Sequence, residues 1–157
     1  MAVTTTSNRS TGLASPPAEF TTTSLQDTLA MVGRILVAWL FIPAGWGKIA
    51  GFSGVVGYIA SQGVPMPELC AAIAIAAELG LGLLLLAGWQ ARWAALGLAI
   101  FVAVITPIFH GYWAMPEAMQ AMQKQAFNKN IAVVGGLLVL AAFGAGRFSL
   151  DGRRNRA

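Results

Sequence analysis

One cysteine and one histidine among 157 residues leave few means of holding a metal or cycling a thiol. Cys70 alone cannot close an intrachain disulfide, form a CxxC redox pair, or ligate an iron–sulfur cluster or a cysteine zinc site. His110 alone excludes a bis-histidine haem within the chain. Charge is scarce too: Asp, Glu, Lys and Arg make up 10% of the residues, against roughly a quarter in a soluble domain. Hydrophobic residues fill 57% of the chain, and the mean hydropathy is +0.68. They fall in runs too continuous for one small domain to bury, so the solvent they fit is lipid.

Four runs carry the surplus: Leu29 to Trp46, broken only by Arg34; Leu69 to Trp89, with Glu78 inside it; Trp93 to Phe109; and Asn130 to Phe143. Each approaches the roughly 20 residues that cross a bilayer as a helix, the last two at the short end. None alternates with period two as barrel strands do, and lipid admits only helices or closed barrels. The expected fold is therefore an all-α membrane protein, a four-transmembrane-helix antiparallel bundle over residues 29–146. Residues 1–28, rich in Thr and Ser and holding Pro16-Pro17, have no signal-peptide core and read as a disordered cytoplasmic tail. Residues 147–157 form a basic cytoplasmic tail.

The linker Gln90-Ala91-Arg92 forces a tight hairpin between helices two and three, whereas Gly47 to Glu68 and His110 to Phe127 are long connections. In the last of these, Met115, Met119 and Met122 recur at i, i+4 and i+7. Thioethers at that spacing suit Cu(I), but the spacing is equally that of a short amphipathic helix lying in the interface, which is the expected form. Cys70 reads as a small packing residue.

A net charge of +4 does not point to nucleic acid, because the basic residues sit at the ends of apolar runs and in the tail. An even number of helices puts both termini on one side. Arg9, Arg34, Arg92, Arg147, Arg153, Arg154 and Arg156 then share a side, against Lys48, Lys124 and Lys129 on the other. The positive-inside rule places both termini in the cytoplasm, with Trp46, Trp89, Trp93 and Trp113 in the interfacial belts.

An ionisable group inside a membrane helix costs about 2.5–3.5 kcal/mol even on the mildest insertion scale, so each needs a partner or a wet cavity. At 100° per residue, Arg34, Ala38, Phe41, Gly45 and Lys48 share one face of helix one. Glu78 shares a face with Ala71, Ala74, Gly82 and Leu85; His110 with Thr106, Ala103 and Ala99; Lys129 with Val133, Gly136 and Leu140. Small residues on the same stripe mark helix interfaces, so the polar groups should point into the bundle. The expected site is a polar cavity opening outward, floored by an Arg34–Glu78 pair and rimmed by Lys48, His110, Lys129 and Asn130. Glu78 and His110 are its candidate proton-transfer groups, and Arg34, Lys48, Lys129 and Asn130 its binding groups, with no metal. The structural alternatives are an ion pair that only fixes packing and cations that snorkel to headgroups.

Arg34 through Gly45 and Lys48, then Gly63-Val64-Pro65, Glu78 with Gly82 and Gly88, Arg92, Phe109-His110, Lys129-Asn130, Gly135-Gly136 and Gly146-Arg147-Phe148-Ser149-Leu150-Asp151 come in one order. That order and spacing resemble the DoxX family over about residues 30 to 152. The resemblance implies a multi-pass protein of the bacterial inner membrane, associated with quinone-linked redox chemistry. The family name comes from a subunit of an archaeal terminal quinol oxidase, and relatives act in thiosulfate:quinone oxidoreduction or beside membrane oxidoreductases that handle oxidative and thiol stress.

This chain has no Gly-rich nucleotide loop, haem ligand pair or redox cysteine pair, so any electrons must pass through a bound quinone or a partner subunit. The leading expectation is a quinone-interacting or accessory subunit of a membrane oxidoreductase complex, in the lipid bilayer as a homo-oligomer or with a partner oxidoreductase subunit. The alternatives are a small-anion or weak-acid carrier using the cationic pocket, and a scaffold recruiting a soluble redox enzyme through Arg153-Arg154-Asn155-Arg156.

Overall fold

The computed structural model describes residues 24–154; residues 1–23 and 155–157 of the two expected tails lie outside the described residues. Chain order runs α1 (Ser24–Ala50), α2 (Phe52–Ser61), α3 (Pro67–Ala87), α4 (Ala91–Phe109), α5 (Glu117–Phe143) and α6 (Leu150–Arg154). Among the described residues four helices, α1, α3, α4 and α5, are long and apolar enough to cross a membrane. The four expected spans are all present, with different boundaries.

Helix α1 begins five residues before Leu29, so residues 24–28 are helical and not part of a disordered tail. Their polar side chains find partners: the Thr28 hydroxyl donates to the Ser24 carbonyl at 2.8 Å, and buried Asp27 accepts the Arg147 backbone N–H at 2.8 Å. The first long connection holds helix α2, which the sequence reading did not place. Helix α5 starts at Glu117 and not at Asn130, so Met119 and Met122 fall in its first turns and Met115 stands in extended backbone just before it, instead of the three sharing a separate interfacial helix. Pro116 supplies the start, and residues 117–129 contain no Gly or Pro to interrupt good helix formers.

Helix α3 is not uniform. Pro67–Ile75 and Gly82–Ala87 are α-helical, and Ala76–Leu81 between them winds as a π-helix. Such wider turns are uncommon and tend to occur at functional positions. Glu78 lies inside this one.

Alanine dominates the contact between spans. Ala94, Ala95, Leu98, Ala99 and Val102 of α4 pack against Phe41, Leu85 and Leu137, and the short side chains bring the backbones close. Helix α5 packs chiefly on α4, while α1 packs on α3. Outward, Trp39 (77% exposed) and Phe143 (81%) are large apolar groups with no protein cover, as lipid-facing positions require.

The end of the bundle where α1 begins and α5 ends is tied by polar contacts. Gly88 closes α3 at φ +67, where a Cβ would collide with Ser149 and the Arg34 guanidinium. Both Asp151 carboxylate oxygens accept backbone N–H bonds at 2.9 Å from Gln90 and Ala91, capping the start of α4. The chain after α5 thus folds back over the α3–α4 hairpin and the first turn of α1.

Candidate functional site

The expected stripe of α1 is correct: Arg34, Ala38, Phe41 and Gly45 are buried and Lys48 is half-buried. What it meets differs from expectation. Gly45 lies against the π-helical turn of α3, where an added Cβ would stand 2.9 Å from the Leu79 backbone nitrogen and 3.2 Å from Glu78 Cβ. One turn beyond this close approach, Lys48 Nζ donates to Glu78 Oε2 at 2.6 Å. The partner of Glu78 is therefore Lys48, not Arg34.

Arg34 is 2% exposed and belongs to the opposite end of the bundle. Its Nη1 donates to the carbonyls of Leu85 (3.0 Å) and Leu86 (2.9 Å), and its Nη2 to that of Phe148 at 2.7 Å. The physical reason is the end of α3. The last carbonyls of a helix lack their usual intrahelical donors, and at an apolar depth a forked guanidinium supplements the Gly88 N–H at Leu85, satisfies Leu86 and takes a third carbonyl from the returning chain.

Lys48 and Glu78 sit in a cavity of about 280 Å³ between α1, α2, α3, α4 and α5. Phe41, Tyr58, Phe101 and Phe109 supply aromatic walls, and His110 and Asn130 also line it. The Tyr58 and Phe109 rings stack at 5.6 Å. His110 Nδ1 and Gln123 Oε1 are hydrogen-bonded at 2.9 Å, which fixes the imidazole against α5. Asn130 Nδ2 donates to Thr106 Oγ1 at 3.1 Å, and that hydroxyl donates to the Val102 carbonyl at 2.6 Å, one turn back.

Of the six expected site residues, the structure brings together Lys48, Glu78, His110 and Asn130. Lys129 does not line the cavity: it is exposed, as is Gly136 on its stripe, while Asn130 and Leu137 turn inward. Adjacent helical residues lie 100° apart, so the inward face of α5 is the one containing Asn130, Val133 and Leu137. With Arg34 at the other end and Lys129 outside, the cavity holds one ammonium against one carboxylate. The cationic pocket expected from the sequence is not assembled.

Tyr58, Ile59 and Gln123 were not foreseen as site residues. The signal for the first two was the apolar run Val55-Val56-Gly57-Tyr58-Ile59, short enough to pass as loop. Gln123 faces His110 only because α5 extends beyond the bundle as one helix. Cys70 is partly buried, its thiol 3.5 Å from the Pro65 carbonyl near the start of α3. Among the described residues no group of three or more His, Cys, Asp or Glu side chains is placed to hold a metal ion.

Comparison with known proteins bears on this arrangement. A family model described as DoxX matches residues 29–111, which hold α2, α3 and α4 entire and all but the first turn of α1. The inner membrane protein YqjF of Escherichia coli is 38% identical over 132 residues, covering 84% of this chain and 96% of that protein. The inner membrane protein YphA of the same organism is 36% identical over 128 residues, covering 82% and 91%. A more distant similarity, 25% over 126 residues, links the chain to one third (34%) of the ER-derived vesicles protein ERV29 of Saccharomyces cerevisiae. No solved structure gives a significant match.

Proposed function

The chain belongs to the DoxX family of inner-membrane proteins, and on that premise we propose that it holds a quinone headgroup in the Lys48–Glu78 cavity as a subunit or accessory of a membrane oxidoreductase complex. The carrying observation is the composition of that cavity: one charge-balanced polar pair at an otherwise aromatic and aliphatic site within the membrane. At about 280 Å³ it lies near the lower bound of ligand pockets, which begin at about 300 Å³, so it suits a small ring more than an extended molecule. A quinone bound there would supply the exchange of two electrons and two protons with a partner enzyme.

The residues have complementary tasks. The Lys48 ammonium donates hydrogen bonds and suits a carbonyl oxygen; the Glu78 carboxylate accepts them and suits a hydroxyl. Because the two are paired at 2.6 Å, either can turn to a ligand while the other limits the cost of the remaining charge. His110, held by Gln123 through Nδ1, stands at the same wall as the group for proton exchange. Tyr58, Phe101 and Phe109 exclude water and offer ring faces. The same charge balance weighs against a carrier for small anions, which needs an excess of cations in the pocket.

The test is extraction in mild detergent followed by mass spectrometry of bound lipids. Quinone should copurify with wild-type protein and fall several-fold in Glu78→Gln, Lys48→Met and His110→Ala, with Arg153→Gln, exposed at the opposite end of the bundle, as a control. Wild-type quinone content in all three cavity variants overturns the proposal.

A further inference from the structure

A second cavity, of about 620 Å³, opens at the other end of the bundle, beside the start of α1 and the segment after α5. It plays no part in the quinone reading. Arg92 from the start of α4, and Arg147 and Arg154 from the segment after α5, line it together with Asp27 and Asp151. The two acids are already engaged. Asp151 accepts the backbone N–H groups of Gln90 and Ala91, and Asp27 accepts that of Arg147 and lies 3.8 Å from the Arg147 guanidinium. Arg92 and Arg154 enter no ion pair among the described residues and are exposed.

The groove is shaped around Arg92. Gly144 holds φ +86, and a Cβ at that position would stand 3.0 Å from Arg92 Nε, so the glycine gives the guanidinium room to lie across the end of α5. On the lipid side the rim is Trp93 (71% exposed) and Phe143 (81%), two aromatic groups at helix ends, where the bilayer meets water. Guanidinium groups that are not internally paired, above an apolar rim at the depth of headgroups, are the recognition chemistry of a phosphate with acyl chains attached.

We propose that this groove binds the phosphate of an anionic phospholipid from the leaflet at the termini end, with Arg92 and Arg154 as its two donors and Trp93 and Phe143 beside its chains. A free phosphate would use the arginines without the aromatic rim, and a zwitterionic lipid would bring a cation to a groove that already has a net positive lining.

The experiment uses the full-length protein in mild detergent, titrated separately with phosphatidylglycerol, phosphatidylcholine and inorganic phosphate, reading retained lipid by native mass spectrometry and Tm by thermal unfolding. Wild type should retain phosphatidylglycerol over phosphatidylcholine and gain Tm with it. The double variant Arg92→Gln/Arg154→Gln should bind phosphatidylglycerol about tenfold or more weakly, as expected when two interfacial arginines are removed. Its lipid-free Tm should stay at the wild-type value, because neither side chain makes an internal ion pair. Arg92→Lys with Arg154→Lys should restore much of the binding. Equal retention of both lipids by wild type, undiminished phosphatidylglycerol binding in the Gln variant, or equal stabilisation by inorganic phosphate alone overturns the assignment.

Discussion

At the scale of single residues, the scarce charges divide by what surrounds them. Arg34 is the most constrained, since its guanidinium serves the carbonyls of Leu85, Leu86 and Phe148, the first of them shared with the Gly88 N–H. Replacing it leaves buried acceptors unsatisfied, and hydrogen bonds to a charged group contribute about 1.5–3 kcal/mol each. Arg34→Leu should therefore lose about 3 kcal/mol or more, seen as a Tm lower by roughly 5–10 °C in detergent. Arg34→Lys should recover only part of this, because a point charge cannot reproduce the fork. A Tm for Arg34→Leu equal to wild type would contradict the role given to it. Lys48 and Glu78 show the other regime, an ion pair that neutralises itself inside a cavity.

At the scale of elements, the π-helical turn of α3 and the glycine of α1 act together. The wider turn carries Glu78, and Gly45 lets α1 come close enough for Lys48, one turn on, to reach it. A side chain at Gly45 has no space, because the nearest atom is backbone. Gly45→Val should push α1 away from α3 and lengthen the Lys48–Glu78 contact. The expected outcome is a protein that still inserts, with Tm lowered by several degrees and copurified quinone reduced about as far as in Lys48→Met. Gly135→Val on α5, where nothing lies within 4 Å of the added carbon, should leave both quantities near wild type. Equal behaviour of the two valine variants would show that the close approach of α1 and α3 does not set the site.

For the whole molecule, the start of α1, the α3–α4 hairpin and the chain after α5 meet at one end, so the first and last described residues, Ser24 and Arg154, lie at the same end of the bundle. Arginine concentrates at that end, and the positive-inside rule predicts that it faces the cytoplasm. A fluorescent protein fused at either terminus should fluoresce, and a periplasm-dependent phosphatase fused at the same points should stay inactive; the phosphatase inserted at Gln62 should be active. The reverse pattern would invert the topology without altering the fold. In either orientation the two cavities lie at opposite ends, one apolar with a balanced pair, the other open and basic.

The sequence by itself determined the solvent, the number of spans and their antiparallel order. Those follow from continuous apolar length and from the rarity of charge, properties a linear pattern carries in full. It also determined the buried stripe of α1, because helical periodicity fixes which residues share a face. It did not determine which charges meet. Pairing Arg34 with Glu78 relied on a long arginine side chain to close the gap in depth between them, whereas the carbonyls at the end of α3 claim Arg34 and the π-helical turn carries Glu78 to Lys48. Lys129 and Asn130 are neighbours in sequence, and a rotation of 100° puts one outside and the other in the cavity. Only the tertiary structure decided these points, because depth, helix rotation and the demand of unsatisfied backbone groups exist only once the helices are packed.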